Sequence, residues 1–170
     1  EYLLVDNMTE KLREFKIFLP LYEGIENIEV GIHSNSFIRQ VEKNIKKPII
    51  FYGTSITQGG CASRPGMAHT NIISRKLDVD VINFGFSGNG RMEEPIAKLI
   101  SELDPAFYVI ECMPNMISPE NVSKNTIPLV NTIRKKNPTA PIIFIDLFKP
   151  TFLVLDKKVD NNTEAMNLAL

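Results

Sequence analysis

Residues 48–59 have the sequence PIIFYGTSITQG, an apolar run from Pro48 to Tyr52 that stops at Gly53, Thr54 and Ser55. A short run of β-branched and aromatic residues predicts a buried strand, and the glycine and hydroxyl residues behind it predict a tight turn. Open α/β folds place their chemistry at the carboxyl ends of parallel strands. The hydroxyl of Ser55 is therefore expected at the edge where such a fold holds its reactive groups.

Two later apolar runs end in loops of the same kind. Val79 to Ile82 leads into NFGFSGNG at residues 83–90, and Phe107 to Ile110 leads into ECMPN at residues 111–115. Because the carboxyl ends of parallel strands meet at one edge of a sheet, the three loops are expected to come together there.

From Pro48 onward, short apolar runs alternate with segments of helical spacing, which predicts right-handed βαβ units around a parallel sheet. The strands are expected at Pro48 to Tyr52, Val79 to Phe84, Ala106 to Glu111 and Pro141 to Asp146. The helices are expected at Gly66 to Leu77, Met92 to Leu103, Ser118 to Arg134, and a last stretch capped by Asn162 or Thr163. Pro128 predicts a kink in the third helix or its division into two.

Residues 1–46 have a different pattern from residues 47–170. Glu14 to Pro20 and Ile28 to Ile32 alternate polar with apolar side chains, which predicts half-buried strands of an antiparallel sheet. We therefore expect a β-rich N-terminal segment, a boundary near residue 46, and an α/β domain after it.

Composition excludes several kinds of partner. The 170 residues carry 19 basic and 20 acidic side chains, a net charge of −1, so no electrostatic footprint for nucleic acid is expected. No apolar stretch approaches the roughly 20 residues that cross a bilayer, and Glu1 starts the chain without a basic leader. Neither a membrane span nor a signal peptide is expected.

A serine is a weak nucleophile at neutral pH and needs a base to take its proton and donors to hold the oxyanion that forms. The Gly88 backbone can bring an N–H close to a reacting carbonyl because glycine has no Cβ, and the Asn115 carboxamide can donate to the same oxygen. Ser55, Gly88 and Asn115 are therefore candidates for a nucleophile with its oxyanion hole. Each also has a plain structural role open to it: capping a turn, forming a tight turn, or bonding its own backbone.

Other polar residues in or near these loops could likewise have either a functional or a purely structural role. Arg64 and Arg91 could contact a substrate or simply be solvated, and Glu111 could face solvent or pair with a neighbour. His33 is expected at the surface or in a turn, and His69, in the helix after the serine loop, is not favoured as a base.

The cysteine and glycine patterns do not indicate a bound metal ion or nucleotide. Cys61 and Cys112 follow strand ends and could be bonded or free. No cluster of Cys and His offers a metal site and no glycine-rich loop offers a nucleotide site, so no metal and no cofactor are expected.

The three loops together resemble the SGNH hydrolases, also called GDSL-like lipases or acylhydrolases. Gly53 to Gly59 resembles the serine block of that family, Asn83 to Gly88 its glycine block, and Met113 to Asn115 a variant of its asparagine block. The resemblance implies a three-layer, flavodoxin-like αβα fold with a parallel sheet. It also implies ester hydrolysis, with Ser55 as nucleophile and with Gly88 and Asn115 as oxyanion donors.

Ala62 to Met67 and the strand-like segment before Pro48 resemble a subgroup in which a β-sandwich precedes the hydrolase. This implies that residues 1–42 are the tail of that sandwich. It further implies acetyl esters of carbohydrates as substrates and a secreted or periplasmic location.

One family block has no counterpart here, the Asp-x-x-His that supplies the base and the residue orienting it. We therefore expect a C-terminally truncated chain whose 170 residues hydrolyse esters slowly or not at all. The alternative is a non-catalytic binding or scaffold domain with a flavodoxin-like sheet.

Overall fold

A parallel sheet lies at the centre of the computed structural model, which describes residues 5–42, 45–149, 151 and 155–170. The sheet has four strands in the order β2-β1-β3-β4. They are β1 (Ile49–Gly53), β2 (Val81–Gly85), β3 (Phe107–Glu111) and β4 (Ile142–Phe144). All neighbouring pairs are parallel, as the alternation of strand and helix patterns predicted.

Helices fill the connections between the strands. The α-helices are α1 (Ser55–Gln58), α2 (His69–Leu77), α3 (Glu94–Ser101), α4 (Pro119–Lys136) and α5 (Lys157–Ala169). Short 3-10 turns occupy Pro65–Met67 and Met113–Asn115.

The sheet is covered on both faces, which confirms the predicted three-layer αβα arrangement. Ile50 and Tyr52 of β1 belong to a large core that also contains residues of α3, α4 and α5. Ile49 and Phe51 point to the other face, where a smaller cluster packs against Ile73 of α2. This division follows from the strand geometry, because successive side chains of a strand point to opposite faces.

Two helix predictions need correction. The helix α4 is continuous through Pro128, so the division into two helices was wrong; Ser118 caps it as expected and accepts from the Asn121 N–H at 3.3 Å. The helix α5 begins at Lys157 rather than at Asn162 or Thr163. The Asp156 carboxylate caps it because one oxygen accepts from two backbone N–H groups, at 3.1 and 3.2 Å.

The expected helix at Gly66 to Leu77 is also shorter than predicted. Ala68 has the extended ψ of 137°, which separates the 3-10 turn from α2.

The strands expected at Glu14 to Pro20 and Ile28 to Ile32 are absent, since the described residues 5–42 contain no strand. A strand needs a neighbour for its backbone groups, and alternation of side chains does not supply one. The segment contacts the α/β domain through side chains instead: the Lys16 ammonium donates to Ser74 Oγ at 3.2 Å, and the Arg75 guanidinium lies 5.0 Å from the Phe18 ring centroid.

No helix among the described residues has the length and apolar character needed to cross a membrane.

The loop after β2 depends on a glycine that packs against β1. Gly90 is buried with φ of +70°, and a Cβ built there would lie 2.1 Å from the carbonyl oxygen of Gly53. We expect Gly90→Ala to lower the free energy of unfolding by about 2–4 kcal/mol, from the left-handed backbone and the overlap together. Chemical denaturation measures this loss. Gly31→Ala is the matched control, because a Cβ at Gly31 meets nothing within 4 Å, and an equal loss in both variants would contradict the packing argument.

Candidate active site

The three loops singled out in the sequence meet at one edge of the sheet. Strand register aligns Gly53 with Gly85 on one side and with Glu111 on the other, so β1, β2 and β3 end at the same level. The Phe86 N–H donates to the Gly53 carbonyl at 2.9 Å, which ties the second loop to the first. The Asn115 carboxamide donates to the Asn89 carbonyl, which ties the third loop to the second.

Ser55 is the first residue of α1 and is half-buried. The turn that presents it is held by the residues on either side of it, Thr54 and Thr57, which are both buried. Thr54 caps α1 through its hydroxyl, which accepts from the Ile56 N–H at 3.2 Å. The serine is therefore fixed by its neighbours, while its own side chain has no structural bond among those described.

The turn that presents Ser55 rests on a buried carboxylate. One oxygen of Glu111, at the end of β3, accepts from the hydroxyls of Thr54 and Thr57, each at 2.8 Å. The same oxygen accepts from their backbone N–H groups at 3.2 and 3.3 Å. Glu111 is only 6% exposed, so these bonds replace the water that an ionised carboxylate would otherwise need. Of the two interpretations given for Glu111, the structure confirms pairing with its neighbours and not exposure to solvent.

Gly53 makes room for this carboxylate. It lies beside Glu111 in the sheet, and in-register neighbours direct their side chains to the same face. A Cβ at Gly53 would lie 2.3 Å from Thr57 Oγ1 and 2.8 Å from the bonded Glu111 oxygen. Any other residue at this position would displace the groups that hold the serine turn.

The Gly88 loop is exposed, and its backbone is anchored on both sides of the glycine. Gly88 has φ of +70°, and a Cβ there would meet nothing within 4 Å, so the glycine serves the backbone conformation rather than a close contact. The N–H of the preceding Ser87 donates to Gln58 Oε1 at 2.8 Å. The Gly88 carbonyl accepts from the Arg91 guanidinium at 2.9 Å.

Asn115 ends the 3-10 turn that follows β3 and is half-buried. Its carboxamide bonds the carbonyl of Asn89, in the glycine loop, rather than its own backbone. A carboxamide has two N–H groups, so one remains for a ligand after this contact. The bond also holds the third loop against the second.

A buried tyrosine and a glutamate support the glycine loop from below. The Tyr52 hydroxyl donates to the Glu93 carboxylate, which also accepts from the Arg91 N–H at 2.7 Å. Burial raises the pKa of Tyr52, and the hydrogen bond to Glu93 raises it further. Burial alone would raise the pKa of Glu93, but the bonds from Tyr52 and Arg91 outweigh it and leave that pKa below its ordinary value. In this pair Glu93 is therefore the ionised residue and Tyr52 the protonated one.

Both histidines occupy positions that fit the sequence interpretation. His33 is exposed in a turn, where its carbonyl accepts from the Ser36 N–H at 2.8 Å. His69 starts α2 and packs edge to face against Phe51, with 5.8 Å between ring centroids. Burial lowers its pKa, against a smaller opposing effect of the Glu111 charge.

Both cysteines are free: Cys61 is exposed and Cys112 is buried, where burial raises the pKa of the thiol. Arg64 is exposed, as is Arg91 apart from its bond to Gly88. Within the described ranges, no three His, Cys, Asp or Glu residues are grouped as ligands for a metal ion.

Sequence reasoning missed Gln58 and Glu93 as supporting residues of this edge, and it gave Glu111 a possible neighbour without identifying Thr54 and Thr57 as its partners. For Glu111 a signal was present: Thr54 and Thr57 flank the serine at a spacing of one helical turn, and both need a buried acceptor. The bond between Gln58 and Ser87 joins separate loops and left no pattern in the sequence.

Comparison with known proteins gives two profile matches. The profile of the GDSL-like lipase/acylhydrolase family matches residues 46–170, and a profile for the N-terminus of SGNH hydro-type esterases matches residues 1–38. No curated protein matches the chain significantly.

Solved structures with the same fold include a protein described as a GDSL-like lipase from Bacteroides ovatus, with 38% identity and a TM-score of 0.81 over 89% of this chain and 45% of that one. A salicylyl-acyltransferase of a tetracycline biosynthetic pathway, SsfX3, has 20% identity and a TM-score of 0.63, over 75% of this chain and 39% of its own. The SGNH-hydrolase family esterase AlinE4 has 17% identity and a TM-score of 0.58, and the match covers 74% of this chain and 69% of AlinE4. The chain thus spans less than half the length of the first two.

Removing the Glu111 carboxylate should loosen the serine turn. Glu111→Ala leaves the hydroxyls of Thr54 and Thr57 and the Thr57 N–H without this acceptor, at about 1–3 kcal/mol for each group that stays unpaired, while the Thr54 N–H keeps its bond to the Glu111 carbonyl at 3.2 Å. We therefore expect the free energy of unfolding to fall by at least about 2 kcal/mol in denaturant titration. The exposed Glu102 provides the control, Glu102→Ala, which should change stability little. Equal stability of the two variants would show that the carboxylate does not support the turn.

Proposed function

Because the chain belongs to the GDSL-like lipase/acylhydrolase family, we propose that it carries the nucleophile and the oxyanion-binding half of a serine esterase. The finer assignment gives Ser55 the nucleophilic role and gives Gly88 and Asn115 the oxyanion. The observation that supports it is the pairwise bonding of the three loops, from Phe86 to Gly53 and from Asn115 to Asn89.

The proposed reaction begins with attack of Ser55 Oγ on the carbonyl carbon of an ester. The serine proton passes to a general base, and the carbonyl oxygen becomes an oxyanion that accepts from the N–H groups of Ser55 and Gly88 and from the Asn115 carboxamide. The tetrahedral intermediate expels the alcohol, which takes the proton back from the base. Water then attacks the acyl-enzyme in the same way and releases the carboxylic acid and the free serine.

The general base is proposed to lie outside these 170 residues. The sequence has no Asp-x-x-His, and its two histidines have other surroundings: His33 lies in an exposed turn, and the His69 ring packs on Phe51. Residues 1–170 alone should then keep the oxyanion geometry but turn over esters slowly.

The substrate is proposed to be a carboxylic ester, with acetyl esters of carbohydrates as the narrower class and a secreted or periplasmic protein as the setting. These narrower proposals rest on the resemblance to sandwich-fused members of the family. They are tested by comparing p-nitrophenyl acetate with longer acyl esters and with acetylated sugars.

Replacing the serine tests the nucleophile. In the longest protein that its gene encodes, we expect Ser55→Ala to lower turnover of p-nitrophenyl acetate by at least about 10³-fold and to abolish labelling by a fluorophosphonate. Ser123→Ala, at an exposed serine of α4, should leave both unchanged. Labelling that persists in Ser55→Ala would favour the non-catalytic alternative for this site. Full, Ser55-dependent turnover by residues 1–170 alone would overturn the proposal that the general base lies outside them.

Replacing Asn115 tests the oxyanion. We expect Asn115→Ala to lower kcat by about 10²–10³-fold with a smaller effect on KM, because the donor acts on charge that develops only in the transition state. The control is Asn161→Ala, at an exposed position of α5. A loss confined to KM would assign Asn115 to substrate binding instead.

A further inference from the structure

Gln58 links the serine helix to two other parts of the chain. It is the last residue of α1, one helical turn after Ser55, and it is half-buried. Its Oε1 accepts from the Ser87 N–H at 2.8 Å, and its Nε2 donates to the Leu21 carbonyl at 3.0 Å. One side chain thus contacts both the glycine loop and the N-terminal segment.

The two contacts fix the orientation of this carboxamide. Reversing it would set its NH₂ against the Ser87 N–H and its oxygen against the Leu21 carbonyl, so both favourable bonds would become repulsive. The backbone of Gln58 is equally constrained, because a Cβ at Gly85 would lie 2.1 Å from the Gln58 nitrogen. Gln58 therefore has little freedom to move away from the glycine loop.

The hydrogen bond from Ser87 to Gln58 also constrains the neighbouring N–H group, that of Gly88. Ser87 precedes Gly88, so fixing the Ser87 N–H fixes the peptide plane before the one that contains the Gly88 N–H. On the other side, Arg91 holds the Gly88 carbonyl at 2.9 Å. The exposed Gly88 N–H is thereby held between two anchored peptide groups, although glycine itself has the most flexible backbone.

The N-terminal segment completes the link. The Leu21 side chain packs on Gly59, where a Cβ would lie 2.8 Å from Leu21 Cδ1. The hydroxyl of the adjacent Tyr22 lies 3.5 Å from the Ser55 carbonyl. The same two residues therefore touch the helix that presents the serine and the glutamine that orients the glycine loop.

We propose that Gln58 is a positioning residue that aligns the Gly88 N–H with the Ser55 turn through Ser87, and that a second, separable bond ties it to Leu21 of the N-terminal segment. Its catalytic consequence rests on the proposed function, whereas the two structural bonds do not. The carboxamide never touches the substrate; it acts through Ser87 on one side and Leu21 on the other.

Two substitutions separate the two bonds. Gln58→Leu removes both, whereas Gln58→Glu keeps an oxygen for the Ser87 N–H and places a second one against the Leu21 carbonyl. Gln40→Leu is the matched control, because Gln40 is exposed in the N-terminal segment. The readouts are hydrogen exchange of the Ser87 amide and the carbonyl 13C shift of Leu21 by NMR, with kcat and KM for p-nitrophenyl acetate in the longest protein that the gene encodes.

In Gln58→Leu we expect Ser87 exchange to rise about tenfold or more as its bond is lost. We expect kcat to fall about ten- to a hundredfold while KM changes little, since misplacement of a catalytic group costs rate. In Gln58→Glu we expect the Leu21 shift to change while Ser87 protection and most of kcat remain. Gln40→Leu should match the parent protein in every measurement.

Unchanged Ser87 exchange in Gln58→Leu would overturn the proposal whatever the activity. Should that variant not fold, loss of Ser87 protection in Gln58→Glu would overturn it equally. Faster exchange with unchanged kcat would refute the catalytic consequence. Absence of Ser55-dependent turnover in the parent would instead count against the proposed function, while the exchange data still decide whether Gln58 holds the loop.

Discussion

The arrangement at the carboxyl edge of this sheet depends on the Glu111 carboxylate buried beneath the serine turn. A carboxylate without water is costly to bury unless its oxygens are bonded, and here one oxygen accepts four hydrogen bonds from Thr54 and Thr57. Thr54 and Thr57 lie on either side of Ser55, so the hydrogen bonds that stabilise the buried carboxylate also fix the position of Ser55. The interaction in turn requires Gly53, because a side chain on that residue would occupy the space of the carboxylate and of Thr57.

The serine turn and the glycine loop are stabilised in different ways. The serine turn is supported by buried groups of two central strands, whereas the glycine loop is exposed and is held by side chains that reach across to it. Gln58, Arg91 and Asn115 each bond a backbone group of that loop. Gly88 is exposed while its loop is anchored in this way, which is the combination that the proposed oxyanion binding by a preorganised N–H requires.

Much of the fold could be predicted from the sequence, because parallel strands covered on both faces leave continuous apolar runs. The run Ile49 to Tyr52 indicated β1, and the glycine after it indicated the turn. The convergence of the three loops followed from the rule that parallel strands end at a common edge. Residues that act through tertiary contacts were harder to identify: the role of Glu111 depends on strand register, and that of Gln58 on a bond between two loops.

The alternation of residues 14–20 and 28–32 was misleading for a related reason. A period of two describes the side chains of an extended chain, but a strand exists only where a second backbone pairs with it. In the described part of the N-terminal segment, residues outside any strand contact the domain through Lys16, Phe18 and Leu21 instead. The cap of α5 at Asp156 was likewise missed because Asn162 and Thr163 are equally common cap residues.

The most direct test of the central claim is a crystal structure of the fluorophosphonate adduct, whose phosphonyl oxygen stands in for the oxyanion. We expect phosphorus bonded to Ser55 Oγ, with the phosphonyl oxygen about 3 Å from both the Gly88 nitrogen and Asn115 Nδ2. An adduct on another residue, or a phosphonyl oxygen directed away from Gly88 and Asn115, would contradict it.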